Sequence, residues 1–280
     1  MSGTGHLNAA ATLRRCGIRP RRRLGQNFLD DPIALEQIVT AAGIQQTDVV
    51  LEIGCGLGSL TRYLAQAARR VVAIELDPRI AAIAQETLSE YRNVLVVRAD
   101  FLKIAPRDLD LPPGYIVAAN IPYYVTSPIL RHLLESEPKP HRIVLTVQKE
   151  VAERICAKPP DMSLLAVSVQ IYGSTQVVAQ IPAKAFYPIP RVDSAVVRVD
   201  CYDQSIIPPS LLSVFFRAVR AGFGQPRKML RNTLAAGLAL PTSESQALLL
   251  RSGIDPRRRA ETLSLAEWIQ LSTMIVNRAV

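Results

Sequence analysis

The chain has 280 residues, 49% of them apolar, which suits one full-size domain with a smaller companion and excludes global disorder. A formal charge of +9 and a pI near 9.7 point to a polyanionic partner, and no apolar run has the length of a membrane span or a signal-peptide core. Cys16, Cys55, Cys156 and Cys201 are scattered, and His6, His132 and His141 match no ligand spacing, so neither metal nor disulfide is expected and a reducing, cytosolic setting is.

Residues 1–23 read as a flexible basic arm, with Arg14, Arg15, Arg19, Arg21, Arg22 and Arg23 and little periodicity. The spacing of Ile33, Leu35, Ile38 and Val39 predicts a helix over Pro32–Ala42. A strand then runs into Glu52-Ile53-Gly54-Cys55-Gly56-Leu57-Gly58, after which a helical pattern resumes. Glycines let a ligand lie against the main chain, but the spacing is Gly-x-Gly-x-Gly, not the dinucleotide Gly-x-Gly-x-x-Gly. The acid placed before the loop fits a ligand with an ammonium group and no phosphates.

The next strand, from Val71, carries Glu75, 17 residues after Gly58, where a carboxylate can accept from both hydroxyls of a ribose. A third strand, Asn93 to Ala99, ends in Asp100-Phe101, a carboxylate for an adenine amino group beside a ring for its face. The fourth, Tyr115 to Ala119, delivers Asn120-Ile121-Pro122-Tyr123. Four units in succession thus place a polar residue just after a strand's carboxyl end, the edge of an open α/β sheet where ligands bind. Strand five is expected at Arg142–Val147, a helix at Lys149–Ala157, strand six at Leu165–Tyr172 and a last strand at Ala195–Asp200. Beyond the prolines at 208 and 209, four helical patterns carry the chain to its end, with Trp268 as a core anchor.

Asn-Ile-Pro-Tyr solves a chemical problem. The exocyclic amine of adenine is a poor nucleophile because its lone pair is delocalised into the ring. A carboxamide oxygen and a main-chain carbonyl held by a proline can accept from both its hydrogens and free that lone pair. Tyr123 offers an aromatic face to a flipped-out base. On those four letters alone a turn is the alternative.

These segments resemble the ribosomal RNA adenine N6,N6-dimethyltransferase family, in its small-subunit, kasugamycin-sensitivity branch. The likeness rests on Leu24-Gly25-Gln26-Asn27-Phe28-Leu29, the Glu52–Gly58 loop, Glu75, Asp100-Phe101, Asn120-Ile121-Pro122-Tyr123-Tyr124, Val147–Arg154, Phe186–Ser194 and Arg227–Asn232. It implies an α/β fold: a Rossmann-like class I S-adenosylmethionine-dependent methyltransferase sheet, its last strand inserted antiparallel, with a small C-terminal α-helical domain. The expected organisation is an arm over 1–23, the methyltransferase domain over 24–203 and a helical RNA-binding domain over 204–280.

Carried onto this chain, the resemblance assigns S-adenosylmethionine to Asn27, Leu29, Gly54, Gly56, Glu75, Asp100, Phe101 and Asn120. Catalysis falls to Asn120, Pro122 and Tyr123, with Tyr123 and Phe186 stacking the base and no metal involved. It further implies dimethylation of two adjacent adenosines in the 3′-terminal hairpin loop of small-subunit rRNA. The substrate would be late pre-30S particles, met in the cytoplasm by a monomer. The basic clusters, including Arg227, Lys228, Arg231 and Arg257-Arg258-Arg259, would meet RNA. Three rivals share these features: a large-subunit rRNA adenine methyltransferase of the macrolide-resistance type, a DNA adenine methyltransferase, and a ribosome-assembly factor acting by binding.

Overall fold

The computed structural model of the chain describes residues 7–277; His6 lies outside them. Two compact units are present. The first comprises the chain up to Ala152 together with Ser174–Cys201, and the second comprises Glu153–Gly173 and the chain from Tyr202 onward. The domain boundary expected at 203/204 therefore needs correcting, because the helical unit also takes an earlier excursion of the chain.

The first unit begins with a helix, α1 (Ala9–Arg15), capped by the Asn8 side chain, which accepts from the Ala11 amide. Ala9 and Leu13 are buried in one cluster with Phe28, Leu57, Ile80 and Ile83. The described part of the N-terminal arm is thus packed rather than flexible: alanine-rich helical propensity and two apolar residues outweigh its basic composition. A short strand β1 (Phe28–Leu29) follows, then α2 (Pro32–Ala42), which starts on an Asp31 cap and stops at Gly43 in the left-handed conformation.

The main sheet uses β2 (Val49–Ile53), β3 (Arg70–Glu75), β4 (Val94–Arg98), β5 (Ile116–Asn120), β6 (Arg142–Gln148), β7 (Gly173–Ile181) and β9 (Ser194–Cys201). The crossovers are α3 (Ser59–Ala67), α4 (Pro78–Thr87) and α5 (Thr126–Glu135). Strand order is β4-β3-β2-β5-β6-β9-β7. Pairing is parallel from β4 to β6, and β9 runs antiparallel to β6, between it and β7, as the resemblance implied. Every residue of β2 is buried, as expected of a central strand covered on both faces. A separate pair, β1 with β8 (Phe186–Tyr187), sets Phe28 opposite Tyr187 and Leu29 opposite Phe186.

Within α6 (Lys149–Cys156), at Glu153, the chain enters the second unit. There the expected strand six is instead a helix, α7 (Leu164–Gln170). Its apolar run has strand character, but Ser163 accepts from the Ala166 amide as an N-cap, and Ala166, Val167 and Ile171 lie together in the helical core. The helical patterns of the tail appear as α8 (Pro209–Phe223), α9 (Leu230–Leu238), α10 (Thr242–Arg251) and α11 (Leu265–Asn277). Trp268 is fully buried and stacks on Phe223 at 5.8 Å. Glycine sets how closely these helices approach: a Cβ at Gly237 would lie 2.7 Å from the Ala221 Cα, and one at Gly222 2.4 Å from the Trp268 ring. Gly237→Ala should therefore lower stability by about 1–3 kcal/mol, the range for overpacking, in a thermal or urea melt.

Candidate active site

One cleft in the first unit collects the ends of four parallel strands. It is lined by the Gly54–Leu57 loop after β2, Glu75 and Leu76 after β3, Ala99–Leu102 after β4 and Asn120–Val125 after β5, with Leu24–Leu29 and the buried Glu52. All eight residues expected to hold the cofactor are in this lining, as are Asn120, Pro122 and Tyr123. Phe186 is not: it is 3% exposed and packed in the sheet's core cluster, opposite Leu29.

The glycine loop has the shape of a cradle. Gly54 and Gly56 have φ of 75° and 58°, a region that side chains rarely adopt. A Cβ at Gly56 would press on Phe28 at 3.1 Å, and one at Gly54 would face the Asn120 carbonyl and Pro122. Glu75 braces this loop, with Oε2 accepting from the Gly56 amide at 3.0 Å and Oε1 from the Asp77 amide at 2.9 Å. Burial raises its pKa, partly opposed by those main-chain donors. Glu52 is 1% exposed, and its Oε2 has no hydrogen-bond partner among the described residues. Burial pushes this carboxyl up to about 8, with the Thr61 hydroxyl opposing the shift and Glu75 adding to it. A buried acid short of a partner beside a side-chain-free cradle fits the ammonium end of an amino-acid ligand.

Residues around 21–27 matter more than their sequence suggested. Gln26 donates from Nε2 to Asp77 at 3.1 Å and accepts from the Arg21 amide at 2.7 Å. Asp77 caps α4 and pairs with Arg79 at 2.9 Å, which holds its carboxyl down at about 2. The bond between Asp77 and Gln26, 51 residues apart, leaves no mark in local spacing. A depressed carboxylate contributes stability that is present above its unfolded pKa and lost as pH falls through the native value. Asp77→Asn should accordingly flatten the loss of stability between about pH 4 and pH 2 in acid melts; an acid limb identical to the parent's would exclude Asp77 as its source.

Asp100 accepts from the Leu102 amide at 3.2 Å, and the Phe101 ring meets His132 edge-on at 5.0 Å. His132 is therefore a brace from α5 rather than a bystander. Asn120, at the tip of β5, donates from Nδ2 to the Asn27 carbonyl at 3.2 Å. Because only the amide nitrogen can donate, this bond fixes the side chain with Oδ1 as its remaining acceptor. The Pro122 carbonyl takes the Val125 amide at 3.1 Å, closing the turn, and the Tyr123 hydroxyl lies 2.7 Å from Ser194 Oγ. Among the described residues no group of three or more His, Cys, Asp or Glu could hold a metal, and no helix is long and apolar enough to cross a membrane.

The Arg257–Arg259 run behaves differently from expectation. Arg257 pairs with Asp255 at 3.0 Å, Arg258 with Glu267, and Arg259 with Glu261 at 3.9 Å, so the run is largely neutralised within its own unit. Between Asp203 and Glu244, by contrast, Arg217, Arg220, Arg227, Lys228 and Arg231 occur with no acid at all. Arg217, Arg220, Arg227 and Lys228 are exposed.

The inserted antiparallel strand, the glycine cradle and acids at successive strand ends define a Rossmann-like S-adenosylmethionine-dependent methyltransferase. Comparison with known proteins narrows the class. A family model described as "Ribosomal RNA adenine dimethylase" matches residues 17–277, and the chain belongs to that family. It is 44% identical over 257 residues to the "Ribosomal RNA small subunit methyltransferase A" of Dehalococcoides mccartyi, covering 91% of this chain and 88% of the relative. Among solved structures it resembles a dimethyladenosine transferase from Plasmodium falciparum, with a TM-score of 0.77 and 25% identity over 90% of this chain and 98% of that one. It is also similar to the 23S rRNA methyltransferase ErmE, with a TM-score of 0.72 and 29% identity over 89% and 100% of the two chains.

Proposed function

We propose that this chain dimethylates N6 of two adjacent adenosines in the 3′-terminal hairpin loop of small-subunit (16S) rRNA, acting as a cytoplasmic monomer on late pre-30S particles. The observation that carries the chemistry is the Asn120–Asn27 bond, which leaves a carboxamide oxygen as the free acceptor at the tip of β5. The subunit assignment draws on the similarity to the Dehalococcoides protein, which exceeds the identity to ErmE.

S-adenosylmethionine, when bound, supplies a methyl group on a positively charged sulfur, which an amine nitrogen can take by in-line displacement. Glu52 and the main chain of Gly54 and Gly56 would hold its amino-acid end, and Glu75 the ribose. Asp100 and Phe101 would take the adenine, with Asn27 and Leu29 closing over the ligand. Asn120 Oδ1 and a main-chain carbonyl of Ile121 or Pro122 accept from the target amine, drawing the nitrogen toward a tetrahedral shape. The Pro122 carbonyl is shared with the Val125 amide and has one lone pair to spare. The amine becomes acidic only after methylation, so no side chain need remove a proton beforehand. Tyr123 supplies one stacking face for the base and Phe186 the second.

The exposed basic stretch from Arg217 to Lys228 would serve phosphate contacts in the helical unit. Phe186 needs a test that separates stacking from bracing, because Phe186→Ala would also open a core cavity. Phe186→Leu keeps most of the volume, and it should slow RNA methylation several-fold at nearly unchanged melting temperature, the lower end of a stacking loss. Unchanged kinetics would remove Phe186 from the base site.

Parallel incubations of labelled S-adenosylmethionine with under-methylated small subunits, under-methylated large subunits and DNA, followed by mapping of modified adenosines, test the reading as a whole. Label on N6 of two neighbouring adenosines of the 3′-terminal hairpin supports it. Label confined to large-subunit rRNA favours the macrolide-resistance type, label confined to DNA favours a DNA methyltransferase, and subunit binding without label favours an assembly factor.

A further inference from the structure

Ser194 closes the Phe186–Ser194 segment and opens β9, the strand that runs antiparallel inside the sheet. It is fully buried and stands opposite Gln148 at the end of β6. The residue before it is anchored on two sides: the Asp193 carbonyl accepts from the Lys149 amide at 3.0 Å, and its side chain accepts from the Ala183 amide at 2.9 Å. Ser194 Oγ is thus a fixed point, and it lies 2.7 Å from the Tyr123 hydroxyl.

The main chain of Tyr123 is held separately, by the turn after Pro122 and by Thr126 Oγ1, which donates to the Tyr123 carbonyl at 3.0 Å. That leaves two side-chain torsions to set the ring, and a bond at the far end of the ring removes that freedom. We propose that Ser194 is a positioning residue for the reaction: by holding the Tyr123 hydroxyl against β9, it sets the plane of the ring on which the target base stacks. The inference rests on the base-stacking role given to Tyr123 above. It also gives a chemical reason for serine at this position: alanine would fill the same buried place but could not hold the hydroxyl.

The test is a mutant cycle on rRNA methylation at saturating S-adenosylmethionine, using Ser194→Ala, Tyr123→Phe and the double variant. Each single change should lower kcat by roughly three- to tenfold, the scale of one lost hydrogen bond. The KM for RNA and the affinity for S-adenosylhomocysteine should stay within about twofold, because neither the basic surface nor the cofactor cradle is touched. The double variant should be no slower than the slower single one, since both changes break the same bond. Ser194→Thr, which keeps the hydroxyl, should recover most of the loss, and it decides the matter if Ser194→Ala melts too low to assay.

Additive losses, wild-type kcat in Ser194→Ala, or a folded Ser194→Thr protein as slow as the alanine variant would each overturn the assignment. An unmodified protein inactive on the RNA would overturn both this inference and the proposed function. An active protein with an additive cycle would overturn only the role of Ser194.

Discussion

Asn120→Ala should cut methylation turnover by roughly a hundredfold or more while leaving S-adenosylhomocysteine affinity within a few-fold, the scale of losing one oriented polar contact in a transition state. The structure makes this substitution informative because the carboxamide has two separable ends. Its nitrogen is used by the Asn27 carbonyl, so its structural job is to tie the Leu24–Leu29 segment to β5. Its oxygen is left for the substrate. Asn120→Asp discriminates further: it keeps an acceptor but sets a carboxylate against the Asn27 carbonyl, a repulsion that alanine does not create, so it should lose cofactor affinity as well as rate. If Asn120→Ala abolished cofactor binding yet kept the turnover of the bound fraction, the residue would be a cofactor ligand alone.

A second large effect is expected at Glu52, and its sign depends on pH. The native carboxyl titrates at about 8, whereas the ordinary glutamate value is 4.5. Below pH 4.5 both folded and unfolded chains hold the proton and the group contributes nothing. Between 4.5 and 8 the unfolded chain has released it and the folded one has not, so stability falls as pH rises. By pH 8 the accumulated cost is of the order of 3–5 kcal/mol for a fully buried group.

Glu52→Gln cannot ionise and should therefore be more stable than the parent at pH 8 and nearly equal to it at pH 4.5, as read from urea melts of the cofactor-free protein. It should also bind S-adenosylhomocysteine at least about tenfold more weakly at pH 8, having lost a charged partner for the ammonium group. Parallel pH profiles for the two proteins would show that Glu52 ionises as an ordinary surface acid does.

What was legible in the chain, and what was not, follows from the range of the forces involved. Strands β2 to β6, the tail helices and the cleft residues from Gly54 to Tyr123 follow from local periodicity and from polar residues at strand ends, whereas Asn27 and Leu29 enter only through the family resemblance. Both are near-neighbour signals. The misreadings have long-range causes. Leu165–Tyr172 reads as a strand because its apolar run lacks breakers, and only the packing of Leu164–Gln170 and Ile171 with Ile207, Phe215 and Trp268 makes a helix the better burial. Arg257–Arg259 is a different case: Asp255 and Glu261 lie only two residues from the arginines they pair with, and what the sequence does not show is that these pairs, with Glu267 on Arg258, form. Gln26 on Asp77 and Ser194 on Tyr123 join segments 51 and 71 residues apart, which no motif spacing encodes. Phe186 is still proposed beside the base, but the β1–β8 pairing that buries it in this structure is not visible in its own segment.

The central claim is that a purine amine meets the Asn120 carboxamide oxygen at the tip of β5. It is tested most directly by a crystal structure of the protein with S-adenosylhomocysteine and a short RNA hairpin bearing an unmethylated adenosine. The account predicts that adenosine turned into the cleft, its N6 within hydrogen-bond distance of Asn120 Oδ1, stacked on Tyr123 and facing the cofactor's sulfur. A base seated elsewhere, or a sulfur turned away from Asn120-Ile121-Pro122-Tyr123, would contradict it.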